Sequence, residues 1–219
     1  MRQNISLAEI SDGHLYKAND MVKADCGGCE GCSQCCRGMG RSIILDPYDV
    51  YRLTTGLGKS MQELLATAVE LNVVDGVILP NLKMQGTKEA CAYLDTEGRC
   101  SIHPYRPGIC RLFPLGRHYE NGGLFYFLQT GECVKENRSK VKVSKWIDTP
   151  ELKRNEQFKL QWHDLLSAMT DRVAGEDEGK QREENLLLLR LFYLLPYEGT
   201  TDFYSQFTER MEHWNEQTG

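Results

Sequence analysis

The sequence predicts an α+β fold, a small and irregular metal-organised domain of short strands and helices followed by a helical C-terminal segment. Three observations carry that expectation. Five of the nine cysteines, Cys26, Cys29, Cys32, Cys35 and Cys36, fall within eleven residues of a glycine-rich stretch. Glycine permits positive φ and close approach, so such a stretch wraps a centre instead of forming regular structure. Residues 72–133 carry short apolar runs broken by turn signals, and Cys91, Cys100, Cys110 and Cys133 lie on or beside those turns. Beyond residue 149 apolar side chains recur at helical spacing and no cysteine occurs. The expected division is a cysteine-cluster domain over residues 1–148, with its motif region at 26–133, and a helical extension over 149–219 that packs on it.

Taken in order, residues 42–45 read as a short strand, and Asp46-Pro47 opens a helix with an N-cap and a proline at its first position. Ser60-Met61-Gln62-Glu63 fits a capping box, with Leu64, Leu65, Ala68 and Leu71 as the apolar stripe of a second helix. Residues 73–79 read as one strand. Asp95-Thr96-Glu97-Gly98 and Asn121-Gly122-Gly123 read as hairpin turns, the second between strands over 112–119 and 124–128. Thr149-Pro150 reads as another cap-and-proline start, followed by three helices. Their stripes are Phe158, Trp162, Leu165 and Met169, then Leu186, Leu189 and Phe192, then Phe203, Phe207, Met211 and Trp214. Stripes of this kind are core faces.

Charge and hydropathy narrow the class. Net charge is −5, and residues 150–219 hold 8 Lys+Arg against 14 Asp+Glu. A nucleic-acid binder would carry a strongly basic face, so nucleic acid is not an expected partner. The longest apolar stretch, 186–195, contains Arg190 and stops at Pro196, too short to cross a bilayer, so no membrane partner is expected either. Residues 1–15 place Glu9, Asp12 and His14 where an export signal needs an apolar run, so a cytoplasmic, reducing address is expected. In that compartment clustered CxxC units serve as metal ligands or redox thiols, not structural disulfides.

Thiolates are the soft ligands of zinc and of iron-sulfur clusters, and a two-residue spacer lets successive sulfurs converge. Cys29, Cys32 and Cys35 repeat the three-cysteine run that caps one face of a cubane, without the x3-C-P ending of a ferredoxin. Neighbouring side chains of extended backbone point to opposite sides, so Cys35 and Cys36 are expected to serve two centres or two irons of one cluster.

Cys29-Glu30-Gly31-Cys32-Ser33-Gln34-Cys35-Cys36, followed by Cys91, by Cys100 and by the stretch Arg106-Pro107-Gly108-Ile109-Cys110-Arg111-Leu112-Phe113-Pro114, then Cys133, resembles the YkgJ family. This is the CxxCxxCC family of zinc- or iron-chelating domains, and the resemblance covers residues 26–133. It implies eight ligands, Cys29, Cys32, Cys35, Cys36, Cys91, Cys100, Cys110 and Cys133. Cys26 is additional to the motif and is open to three roles, as a replacement ligand, a ninth ligand or a redox thiol.

Arg106 and Arg111 flank Cys110 and are expected to offset thiolate charge, or alternatively to pair with a carboxylate such as Asp95. His103 is expected to support a sulfur by hydrogen bonding. Asp46 reads as a helix cap, and Asp49 and Tyr51 bear on the cysteines only if the fold brings them near. The functional expectation is an iron-sulfur protein, with one or two 4Fe-4S clusters, in electron transfer or redox sensing, and with a protein redox partner on the acidic C-terminal helices. A zinc-stabilised interaction module is the alternative. A protein-lysine methylase-like enzyme is a minor one, resting on the shared cysteine cluster alone. Glu97, Glu120 and Glu132 are the nearest candidates for a general base, but no recognisable motif places them, and no catalytic residue is assigned.

Overall fold

The computed structural model describes residues 6–27, 32–135, 137–175 and 177–218. Eight helices and eight strands follow in the order α1 (Leu7–Ile10), β1 (Met21–Asp25), α2 (Pro47–Leu57), α3 (Met61–Thr67), β2 (Val69–Val74), β3 (Val77–Leu82), β4 (Met84–Gln85), β5 (Ala90–Cys91), α4 (Gly108–Leu112), β6 (Leu115–Glu120), β7 (Gly123–Leu128), β8 (Ser139–Lys142), α5 (Val143–Ile147), α6 (Leu152–Val173), α7 (Glu178–Leu189) and α8 (Phe203–Thr218) among the described residues. The strands form four two-stranded antiparallel ribbons, β1-β8, β2-β3, β4-β5 and β6-β7. This is an α+β fold with a helical C-terminal segment, and among the described residues no helix is long and apolar enough to cross a membrane.

Local chemistry sets the element starts. Asp46 accepts the Asp49 N–H at 3.0 Å while the Asp49 carboxylate accepts the Asp46 N–H at 3.2 Å, closing the capping box that begins α2. Ser60 and Glu63 make the same reciprocal pair at α3. Each cap is worth about 0.5–2 kcal/mol.

Four expectations change. Residues 42–45 form no strand, only an isolated bridge of Ile44 to Asn81. The stretch 73–79 is not one strand, because Asp75 and Gly76 both adopt positive φ, 49° and 82°, and fold it into the β2-β3 hairpin. That hairpin takes Leu71 out of the helical stripe and leaves it exposed on β2. Leu112 ends α4 instead of opening a strand. Finally, α6 starts at Leu152 after a left-handed Glu151, past the Thr149-Pro150 pair.

Two cores form. The main one joins Ile43, Leu45, Val50, Leu53 and Leu64 to Val69, Leu79 and Leu82 of the hairpin, and to Phe158, Trp162, Met169, Phe192, Phe203, Phe207 and Trp214 of the C-terminal helices. Phe158 sets its ring edge-on to Phe203 and Phe207 at 5.1 and 4.8 Å. The smaller core holds Val22, Ala24, Leu112, Leu115, Tyr126, Leu128, Val143 and Ile147 under β1, β6-β7, β8 and α5.

Buried polar groups tie the C-terminal helices down. The Asn185 side chain accepts from Ile78 N–H at 2.6 Å and donates to Gly76 C=O at 3.1 Å, and Tyr193 donates to Leu45 C=O at 3.1 Å. After α7 the helix widens over Arg190–Leu194, where Leu195 N–H reaches back to Arg190 C=O. Arg210 donates to the carbonyls of Leu191, Leu195 and Pro196 that this leaves, with its guanidinium 3.6 Å from the Tyr197 ring.

Phe158→Ala removes the ring at the centre of the main core and is expected to cost about 3–5 kcal/mol, measured as a fall in denaturant midpoint at constant slope. A chain ending at Asp148 loses the second wall of that core and is expected to show no cooperative unfolding transition by circular dichroism.

Candidate metal centre

Three separate chain segments bring five cysteines together. In the first, Cys32 precedes a 3-10 turn over Gln34–Cys36, closed by Cys36 N–H to Ser33 C=O at 3.0 Å and Arg37 N–H to Gln34 C=O at 3.1 Å. The chain then runs beside the second segment. Arg37 bridges Ala90, and Gly38 N–H donates to Glu89 C=O at 2.9 Å, which lays the Cys35-Cys36 turn alongside Cys91 on β5.

From Cys91 the backbone folds back on itself. Asp95 accepts the N–H groups of Glu97 and Arg99 at 3.0 and 2.8 Å, a side-chain-stabilised turn that pairs Leu94 with Cys100. Cys110 arrives on the third segment, α4. Its fixing point is Asp49, fully buried at the third position of α2, which accepts the Gly108 N–H at 2.7 Å. Leu112 at the other end of α4 enters the smaller core while Cys110 packs against the main one, so α4 is held from both sides.

The five thiols lie in overlapping electrostatic fields. The Cys36 thiol hydrogen-bonds Cys35 and, with the Cys35 backbone N–H and the Arg106 guanidinium, pulls the Cys35 pKa down to about 7 against the cost of burial. Donating that bond and being buried push Cys36 up, with Cys35, Cys91 and Cys100 adding repulsion. Burial raises Cys91 and Cys100, each further raised by Cys35. Burial raises Cys110 most strongly, with Asp49, Cys91, Cys35 and Cys100 adding to it. Cys35 and Cys36 are thus not on extended backbone. The 3-10 turn puts both sulfurs in one group, which removes the reason for assigning them to separate centres.

Cys32, Cys35, Cys36, Cys91, Cys100, Cys110 and Cys133 carry unbridged thiols, all partly buried. Cys26 follows β1 directly, at the end of the ribbon where β8 enters, and Cys133 lies six residues ahead of β8, so both flank that ribbon. Cys29 lies outside the described residues. Among the described residues no three His, Cys, Asp or Glu side chains form a ready-made site for one metal ion. The donor chemistry nevertheless fits a thiophilic metal, because five soft ligands share one region with Arg106 beside two of them.

The flanking residues divide. Arg106 faces Cys35 and Cys100. The Arg111 guanidinium turns the other way, donates to Asp148 C=O at 2.8 Å and is buried among Arg52, Asp49 and Tyr48. Neither uses Asp95, whose nearest cation is Arg99 at 3.9 Å. His103 is exposed at the head of a 3-10 turn, its pKa lowered by desolvation and by Arg106. Glu97 pairs with Arg99, and Glu120 and Glu132 are exposed.

Sequence reasoning passed over the buried polar junction beneath α4. A side-chain carbon on Gly108 would stand 3.3 Å from Arg117 Nη2 and 3.5 Å from both Asp49 Oδ1 and Lys159 Nζ. Lys159, from α6, is buried against Asp46, and burial alone lowers its pKa to about 7. Burial raises Asp49 to about 6 despite the Gly108 N–H and the fields of Arg117, Arg111 and Arg52. The one signal in the sequence was Asp49 at the third position of a capped helix, which by itself predicts only the capping box.

Residues 28–124 match the family model described as "CxxCxxCC: Putative zinc- or iron-chelating domain". No curated protein and no solved structure matches the chain.

Asp49→Ala strands the buried Gly108 N–H and is expected to cost about 3 kcal/mol in thermal or denaturant unfolding. Because Asp49 holds α4, the variant is also expected to retain less metal than a core variant of equal stability loss, measured by elemental analysis after gel filtration.

Proposed function

We propose, from the premise that residues 28–124 form a zinc- or iron-chelating domain of the CxxCxxCC family, that this chain is an iron-sulfur protein acting in electron transfer or redox sensing. One observation carries the reading: Cys35, Cys36, Cys91, Cys100 and Cys110 gather from three segments with the Arg106 guanidinium among them. Thiolates are what bind iron and sulfide, and a fixed cation beside them stabilises the anionic cluster and raises its potential. Cys29 and Cys32 extend the three-cysteine run into Cys35, and Cys133 completes the set of eight, with Cys26 adjacent in sequence. When bound, the cluster supplies one-electron chemistry. The protein's own part is to hold the sulfurs, keep them partly out of water and place the arginine. A cytoplasmic location suits a thiol set that must stay reduced before loading.

The acidic C-terminal helices are the proposed contact for a protein redox partner, since an acidic face steers a basic one. A zinc-stabilised module is the second reading. It is favoured by the packing of Cys91, Cys100 and Cys110 directly on the main core, where a closed structural site would add folding energy.

Protein purified without oxygen is expected to contain iron and acid-labile sulfide and to bleach in the visible on dithionite. Stoichiometric zinc without colour or sulfide would replace the first reading with the second. Cys35→Ser and Cys36→Ser are each expected to lose most bound metal, and Cys26→Ser to lose much less, by elemental analysis.

A further inference from the structure

Beneath the cysteines the protein collects more positive charge than it neutralises. Arg52, Arg111 and Arg117 all lie in the field of the single buried carboxylate of Asp49, and Arg106 lies in the field of Arg111. Each Asp49 oxygen already accepts one backbone N–H, Oδ1 from Gly108 and Oδ2 from Asp46. Among the described residues no carboxylate stands within 4.0 Å of Arg52, Arg111 or Arg117, whereas nearby Lys159 has Asp46 against it.

Two donors of this group are unpartnered. Arg111 is only 6% exposed, spends Nη1 on Asp148 C=O and leaves Nε buried without an acceptor. Arg52 donates Nη2 to Pro104 C=O and leaves Nη1 buried without one. The two guanidiniums lie in each other's repulsive field, and the Tyr48 side chain lies in the field of both. A buried guanidinium N–H costs free energy until an acceptor meets it, and a pair of forks is the arrangement that grips an oxyanion.

We infer that Arg52 and Arg111, with Tyr48 beside them, form a binding site for the oxyanion group, carboxylate or phosphate, of a small ligand seated next to the metal centre. The partly exposed Arg52 is its solvent side, and α4 is the wall it shares with the centre, since Arg111 follows Cys110 directly. The inference takes its neighbour from the metal-centre reading but not its donors, which are described whether or not metal is bound. It gives that reading a ligand class: an anionic small molecule held by two guanidiniums on the other side of the helix that carries Cys110.

The test uses the full chain, with metal content measured on every sample, titrated with sodium phosphate and separately with sodium succinate. Sodium chloride of equal ionic strength is the reference, and calorimetry and thermal unfolding are the readouts. Saturable binding of at least one oxyanion is expected, with a rise in Tm that chloride does not give. Arg52→Gln, at a partly exposed position, is expected to weaken binding at least tenfold while keeping metal content and the chloride-reference Tm. Arg111→Lys keeps the charge but loses the fork, and serves as the second variant. Phosphate-only or succinate-only binding would identify the source of the oxyanion.

No response beyond chloride to either anion in metal-loaded protein would overturn the site, as would undiminished binding by Arg52→Gln in that protein. Binding by metal-free protein that vanishes on loading would equally overturn it, because the thiolate centre would then be the missing negative charge. A chain that binds no metal but still shows Arg52-dependent anion binding would refute the metal reading and leave the site standing.

Discussion

The hydrogen bond from Gly108 N–H to the Asp49 carboxylate is the constraint on which the rest of the centre depends. It joins two segments 59 residues apart. Asp49 is fixed because it also closes the capping box of α2, whose own register is set by Tyr48, Val50 and Leu53 in the main core. Gly108 is fixed because its N–H is held by Asp49 Oδ1, with Arg117 and Lys159 packed closely beside it. The short helix that carries Cys110 therefore cannot shift without unfolding a cap, exposing Leu112 of the smaller core or opening the Asp46-Lys159 pair. Five residues of helix would not hold a position alone. Position is imposed from outside.

The same junction explains why the C-terminal helices matter to a centre that contains none of their residues. Lys159 and Phe158 are neighbours on α6, one sealing the polar junction under α4 and the other filling the main core. Asn185 and Tyr193 add hydrogen bonds to backbone at Gly76, Ile78 and Leu45, on either side of the segment that begins the cysteine motif's scaffold. Cysteine placement is thus a product of the whole main core, while the cysteines themselves contribute Cys91, Cys100 and Cys110 to its edge. The chemistry at that edge is graded. Cys35 is drawn toward the thiolate by its neighbour Cys36, its backbone and Arg106, while Cys36 is pushed up by the bond it gives Cys35 and Cys110 by burial and the field of Asp49.

Arginines around the motif divide their work in a way that their spacing hides. Arg106 and Arg111 bracket Cys110 in sequence, four residues before it and one after. One turns toward sulfur and the other toward Asp148 and Arg52, because five residues of α4 preceded by an extended Pro107 rotate them to different sides. A single sequence motif here serves two adjacent chemical environments, a thiol group and a guanidinium-lined one, separated by the thickness of one helix.

The sequence by itself determined the features that depend on covalent chemistry and on neighbours within a few residues. These are the thiol inventory and its two-residue spacers, the caps at Asp46 and Ser60, the Asn121-Gly122 turn, and the apolar stripes of α6, α7 and α8. Backbone sterics and helical periodicity act locally, so these were legible. Asp75-Gly76 is a local turn signal of the same kind, and its two positive-φ residues fold 73–79 into a hairpin instead of one strand. Only the tertiary structure decided which thiols meet, which arginine faces them, and that Asp49 serves α4 as well as its own helix. Those outcomes rest on burial and charge between segments tens of residues apart, and no short-range pattern encodes a buried neighbour.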